Sequence, residues 1–183
     1  MNSHNPLLGL IGVWKGDKGI DLAPKPIEDE NNPYYEVLTF EPVDSNIENA
    51  EEQELTAVRY FQEVREIAND KISHSETGYW IWDKNEGSIM CTFSIPRGVS
   101  LVAGGSFTAV ENTSITFNVD AGCDDKDWGI AQSPFMQKKA KTIAFKRSVK
   151  ITGKTLSYQQ ETTVAIYDKT FAHHDSNELT KVS

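Results

Sequence analysis

An all-β chain, closed into a single antiparallel β-barrel of about ten strands, is the fold this sequence predicts, on three observations. Clusters of turn formers recur about every ten to twelve residues from Asn69 to Val119. No apolar i, i+3, i+4 stripe of useful length occurs, so little helix is expected. The central run Ile72-Ser73-His74-Ser75-Glu76-Thr77-Gly78-Tyr79-Trp80-Ile81-Trp82 alternates: as a strand it puts Ile72, His74, Glu76, Trp80 and Trp82 on one face, Tyr79 and Ile81 on the other. A face that mixes polar and aromatic groups suits the wall of a ligand cavity.

Taken in order, Leu7-Leu8-Gly9-Leu10-Ile11 is a short apolar run suited to a helical turn or plug. Gly12-Val13-Trp14-Lys15-Gly16 then opens the first strand with a large ring between residues that let backbones approach. Pro24, Pro26, Asn31, Asn32 and Pro33 break regular structure, which predicts a long loop over 21–33 and a candidate lid. A strand over Tyr34 to Pro42 follows. Asp44 to Glu54, rich in glutamate and almost without apolar residues, reads as an exposed hairpin loop or short polar helix. Leu55 to Ile67 is the next strand, and Asn69-Asp70 turns into the central one. Later strands fall at Ser88 to Ile95, Val99 to Val110, Ser114 to Val119, Thr142 to Ile151, Thr155 to Tyr167 and Ser176 to Ser183, with a second long, ordered loop over 121–137 and His173 and His174 between the last two strands. Closing such a meander removes its exposed edges, which favours a barrel over the runner-up, a sandwich, and such barrels hold one small ligand.

The chain has 183 residues, 38% hydrophobic and 25% charged, enough for one domain with a substantial core, and no break in composition divides residues 1–183. A net charge of −9 argues against a nucleic-acid partner, because phosphates need a basic face. The one basic cluster, Lys138-Lys139-Ala140-Lys141 with Lys146-Arg147, reads as a solvated edge. No apolar run approaches the roughly 20 residues of a spanning helix, so no membrane partner is expected. The first residues lack the features of a secretory signal, and the expected location is cytoplasmic. Cys91 and Cys123 have no CxxC spacing and read as thiols.

His74 and Glu76 read either as a hydrogen-bonded pair inside the barrel or as a ligand contact across its cavity. His173 and His174 read either as polar residues at the barrel mouth or as an iron ligand, which must be neutral and oriented through its other nitrogen. A metal site of His173, His174 and Asp175 is weakened by adjacency: neighbouring side chains diverge, and a fourth ligand is unidentified. Trp80, Trp82, Tyr79 and Tyr158 read as core before ligand stack. Trp14 is expected to close one end of the barrel, with Lys181 or Arg147 over its indole.

Three of these features together resemble a known family. Gly12-x-Trp14-x-Gly16, His74-x-Glu76-x-Gly78-Tyr79 and a histidine shortly before the C-terminal strand look like nitrobindins, the heme-binding β-barrels related to fatty-acid-binding proteins in the calycin group. The resemblance implies a closed, lipocalin-like barrel with heme b at one open end, held by a single histidine. That iron ligand falls on His174, or on His173 if the register slips by one, with His74 as a further cofactor-binding residue. It also implies nitric-oxide binding and, with ferric heme, isomerisation of peroxynitrite to nitrate; no catalytic residue is assigned. The chain departs from the family at Leu22 to Ile27, where nitrobindins have a short Tyr-Pro-Thr-Ile-like segment, at Asp175 after the histidine, and over 124–137. The alternative reading is a non-catalytic carrier of a fatty acid or other small apolar ligand. Such a carrier needs a buried cation, for which Arg59, Arg65, Arg97 and Arg147 are the candidates, whereas a module without a ligand would have a filled barrel.

Overall fold

The computed structural model describes residues 5–23, 30–43, 47–111 and 113–183. Twelve strands run along it: β1 (Gly12–Ala23), β2 (Glu30–Pro42), β3 (Ile47–Asn49), β4 (Gln53–Glu66), β5 (Ile72–Asp83), β6 (Ser88–Ile95), β7 (Val99–Val110), β8 (Ser114–Gly122), β9 (Ile130–Gln132), β10 (Ala140–Thr152), β11 (Thr155–Ile166) and β12 (Lys169–Lys181). A 3₁₀ turn, Pro6–Gly9, precedes them, and one six-residue helix, α1 (Pro134–Lys139), sits before β10. The antiparallel ladder β2-β1-β12-β11-β10-β8-β7-β6-β5-β4 returns on itself through β2–β4 pairing, which closes a ten-stranded barrel as the turn spacing predicts. β3 lies outside that ring against β4, and β9 continues along β7 where β8 has stopped.

The expected long connections are present in shorter form. Strand pairing runs into 21–33, with Ile20 opposite Pro33 and Asp21 opposite Asn32. Pro33 is tolerated because β2 before Tyr34 pairs only with β1, and its carbonyl alone is needed, by the Ile67 amide. The lid expected there reduces to residues 24–29, which lie outside the described residues. Over 121–137, the Asp125 carboxylate accepts from the Asp127 and Trp128 amides at 2.9 Å, β9 follows, and Ser133 caps α1. The polar stretch expected over 44–54 holds β3 and an exposed turn into β4, residues 44–46 again lying outside the described residues.

The last strand departs most from expectation. β12 begins at Lys169, because Tyr167 and Asp168 both take positive φ (54° and 57°) and make a two-residue hairpin turn whose handedness fits twisted strands. His173 and His174 therefore lie in a strand and not in a loop.

One end of the barrel is shut. The 3₁₀ turn inserts Leu7 and Leu10 beneath Trp14, all three within 1% of full burial. The Trp14 indole N–H donates to the Leu10 carbonyl at 2.7 Å, and the Lys181 ammonium lies 5.4 Å above the ring, as expected of one of its two candidate cations. Gly12 permits this closure: its φ is 130°, and a Cβ there would fall 2.2 Å from the Ser183 carbonyl oxygen. Above Trp14 the interior is filled by Trp80, Trp82, Ile89, Phe117, Leu156 and Leu179. A cavity of about 20 Å³ between Leu38, Phe40, Trp80, Val149, Tyr158 and Arg147 has room for about one water.

Candidate ligand site at the barrel mouth

Alternation along β12 fixes which histidine faces inward. Leu179 is fully buried and Asn177 nearly so, which puts Asp175, His173 and Phe171 on the same inner face, increasingly exposed toward the open end. His174 has the opposite parity. It stands on the outer wall with Ser176, Glu178 and Thr180, half-exposed, its Nδ1 3.8 Å from a carboxylate oxygen of Glu161, its partner across the ladder. A shift of one residue is the difference between the two walls, so register decides which of the adjacent histidines faces inward.

His74 also faces inward, on β5, together with Glu76, Trp80 and Trp82, while Tyr79 is exposed on the outside. Ile72 departs from the predicted pattern and is exposed, because the β4–β5 ladder slips between Val64 and Arg65. Gly78 of the same motif is needed for close approach: a Cβ there would lie 1.8 Å from the Thr92 carbonyl oxygen on β6.

Between His74 and His173 runs one continuous polar chain across the barrel. His74 Nε2 lies 3.3 Å from Glu76, whose other oxygen accepts from the Tyr60 hydroxyl at 2.6 Å and from the Arg147 guanidinium at 2.7 Å. Arg147 also donates from Nε to Gln160 Oε1 at 2.8 Å. Gln160 Nε2 donates to Asp175 at 3.2 Å, and Asp175 faces His173 Nε2 at 3.4 Å. The same His173 nitrogen bonds to Asp21 of β1 at 2.5 Å. The register that pairs Asp21 with Asp175 brings these two carboxylates to one imidazole. Asp175 thus orients His173, two residues away on the same face, and not its neighbour His174.

Arg147 and Glu76 are both buried, and the guanidinium is held between the Phe93 and Phe145 rings, 5.0 and 5.1 Å from their centroids. Burial alone would raise the Glu76 pKa, but Arg147 and His74 outweigh it and hold it down at about 2. Beside this chain lies a second buried carboxylate, Glu36, which accepts from Gln62 at 2.7 Å and Tyr158 at 3.0 Å. With no cation in contact, desolvation prevails and pushes its pKa up to about 7. For His173 burial opposes the charged ring, but the hydrogen bonds to Asp175 and Asp21 prevail and raise its pKa to about 10. Cys91, under Tyr60 and Arg147, is a buried thiol pushed up to about 12 by desolvation.

Above this polar floor the β11–β12 hairpin continues as an apolar wall. Val164 pairs with Phe171, whose parity matches His173, and both are partly exposed. The mouth is therefore a half-open seat with a hydrogen-bonded base, inward imidazoles from β5 and β12 and an apolar side.

Sequence reasoning anticipated the inward His74–Glu76 pair and offered Arg147 as one of four candidate buried cations, but not as the partner of Glu76. The place of Arg147 between Phe145 and Val149, apolar residues two positions away on either side, is a signal that would have set it inside. Asp21 carries no comparable signal, since its role depends on the β1–β12 register.

Comparisons place this barrel among known ones. A family model described as THAP4-like, heme-binding beta-barrel domain matches residues 3–181. The structure is similar to that titled "Crystal Structure of Rv2717c from M. tuberculosis", with a TM-score of 0.75 and 21% identity over 98% of this chain and 99% of that one. No curated protein matches the sequence. With a closed ten-stranded barrel and a family match over nearly its whole length, the chain belongs to the THAP4-like heme-binding β-barrel domain family.

Proposed function

We propose that the mouth binds heme b and that His173, not His174, is its iron ligand. The observation that carries this is the His173 environment: an inward imidazole whose Nε2 is held by Asp21, with no partner for Nδ1 among the described residues. A metal-binding histidine needs one nitrogen for the metal and a carboxylate or carbonyl on the other, and this ring has that arrangement once the proton that the two carboxylates hold on it leaves Nδ1 to iron. The partly exposed pair Val164 and Phe171 on the same inner wall gives a flat apolar cofactor a surface to lie against. These residues fit heme.

Purified protein titrated with hemin should develop a Soret band that saturates at about one heme per chain, since one endogenous histidine fills one axial position. His173→Ala should abolish or strongly weaken that band, and His174→Ala should leave it in place. A His173→Ala variant that binds heme as well as the parent would overturn the assignment.

The family resemblance supports a reaction as well, isomerisation of peroxynitrite to nitrate, together with nitric-oxide binding. Bound ferric heme would supply a Lewis-acidic iron for a small anion. The chain's own part is to position and to exclude water. Glu76 fixes the His74 ring through Nε2, leaving Nδ1 for a hydrogen bond to a ligand or water. Arg147 and its aromatic flanks seal the floor beneath. Stopped-flow decay of peroxynitrite with ferric holo-protein should exceed that with apo-protein or an equal concentration of free hemin; decay no faster than the better control leaves binding alone. The carrier alternative has one observation in its favour, since Arg147 is an inward cation. Its charge is already met by Glu76 at 2.7 Å, and the space below it is about 20 Å³, far less than an acyl chain requires.

A further inference from the structure

Three metal-ligating atoms from two strands converge at the mouth. His173 Nε2 lies 2.5 Å from Asp21 Oδ1 and 3.4 Å from Asp175 Oδ1, and one donor atom of each residue falls within 4.8 Å of the other two. Ligands about 2.0–2.2 Å from a tetrahedral ion stand about 3.3–3.6 Å apart. The His173–Asp175 spacing already meets this, and the Asp21 carboxylate needs to withdraw by about 1 Å, which a side-chain rotation supplies.

Two further features separate this trio from an incidental surface cluster. Its side chains are 28%, 24% and 19% exposed, so they are held in the wall yet leave one side open to water, as a site with three protein ligands requires. Asp175 is also oriented from behind: its second oxygen accepts from Gln160, which is itself fixed by the buried Arg147. Carboxylates held in this way bind metals more tightly than free ones. His174, which the sequence offered as a third ligand, is on the outer wall; Asp21 takes its place from across the ladder.

We propose that Asp21, His173 and Asp175 form a binding site for a divalent first-row cation, of which Zn²⁺ is the probe. The inference does not rest on heme binding. The two occupants make opposite demands on Asp21: beside heme it accepts the Nε2 proton, and beside the ion that proton is gone and its oxygen binds metal.

Equilibrium dialysis of the heme-free full chain against Zn²⁺, with metal counted by mass spectrometry, should saturate near one ion per chain. Asp21→Asn and Asp175→Asn should each weaken binding by about tenfold or more, His173→Ala should abolish it, and His174→Ala should leave it unchanged. Co²⁺ in place of Zn²⁺ should give visible d–d absorption that Asp21→Asn removes. Circular dichroism identical to the parent shows that a variant has folded, and the two near-isosteric Asn variants decide the matter should His173→Ala not fold. Absence of saturable binding, or binding indifferent to both Asn variants, overturns the site. Hemin titration of Asp21→Asn separates the two ideas, because the amide oxygen still accepts from Nε2: a retained Soret band with lost Zn²⁺ binding supports the cation site, and retention of both overturns it.

Discussion

Arg147 and Glu76 each carry a full charge inside the barrel, and each is tolerable only because of the other. Removing one partner of a buried pair typically costs about 3–5 kcal/mol, whereas replacing both with apolar groups is often near neutral. Arg147→Met should therefore destabilise the protein by about that amount in urea unfolding, and a Glu76→Met, Arg147→Met double variant should recover most of the loss; a single variant within about 1 kcal/mol of the parent would refute the account. Acid titration tests the two buried carboxylates separately. Glu76 falls from its ordinary value of 4.5 to about 2 on folding, so its stabilisation is complete above the unfolded value and is lost as pH falls toward 2. Glu36 is raised from 4.5 to about 7, so the folded state holds its proton longer, and stability declines as pH rises from 4.5 to 7. At about 1.4 kcal/mol per pKa unit, that decline is on the order of 3 kcal/mol. Glu36→Gln should flatten it, and unfolding curves at pH 5 and pH 8 that differ as much as the parent's would exclude Glu36 as the source.

β5 ties the network to the wall, and Gly78 is where it comes closest to β6. Gly78→Ala would force apart a ladder whose atoms would otherwise overlap, with an expected loss of about 1–3 kcal/mol in thermal or urea unfolding. A variant as stable as the parent would mean that β5 and β6 can separate without cost. Element scale is also where the sequence was most and least informative. The inner face of β5 was legible because its alternation is uninterrupted from His74 to Trp82. The plug at Leu7 and Leu10 and the closure at Trp14 were legible because large apolar groups beside glycine leave few alternatives. β12 was obscured: Lys169 to Asp175 carries too few apolar residues to read as a strand, and the positive-φ turn at Tyr167-Asp168 uses neither Asn nor Gly. Which of two adjacent histidines looks inward then depended on the distance to Leu179, a parity hidden until the strand was recognised.

Across the whole barrel, stability is graded along its axis. The closed end is packed and buried, while the mouth is lined by partly exposed polar groups and a hairpin wall. Hydrogen exchange should show strongest protection for amides around Trp14, Ile89 and Leu179 and weaker protection over Lys169 to His173, with heme or Zn²⁺ raising the latter. Uniform protection from end to end would contradict this gradient. Most strand partners lie next to each other in sequence, but β1–β12 pairing joins the two ends of the described chain and carries the largest loop-closure cost in the barrel.

The indoles stacked along the interior make the mouth visible to light. Trp80 and Trp82 lie on the strand that carries His74, and six residues of strand span about 20 Å, so these buried rings sit a short way below the mouth. Over such a distance an excited indole passes its energy to a porphyrin, whose Soret absorption overlaps indole emission. Heme should darken the protein's fluorescence, whereas Zn²⁺, with a filled d shell and no absorption there, should leave it bright. A single emission spectrum thereby tells which of the two occupants has taken His173.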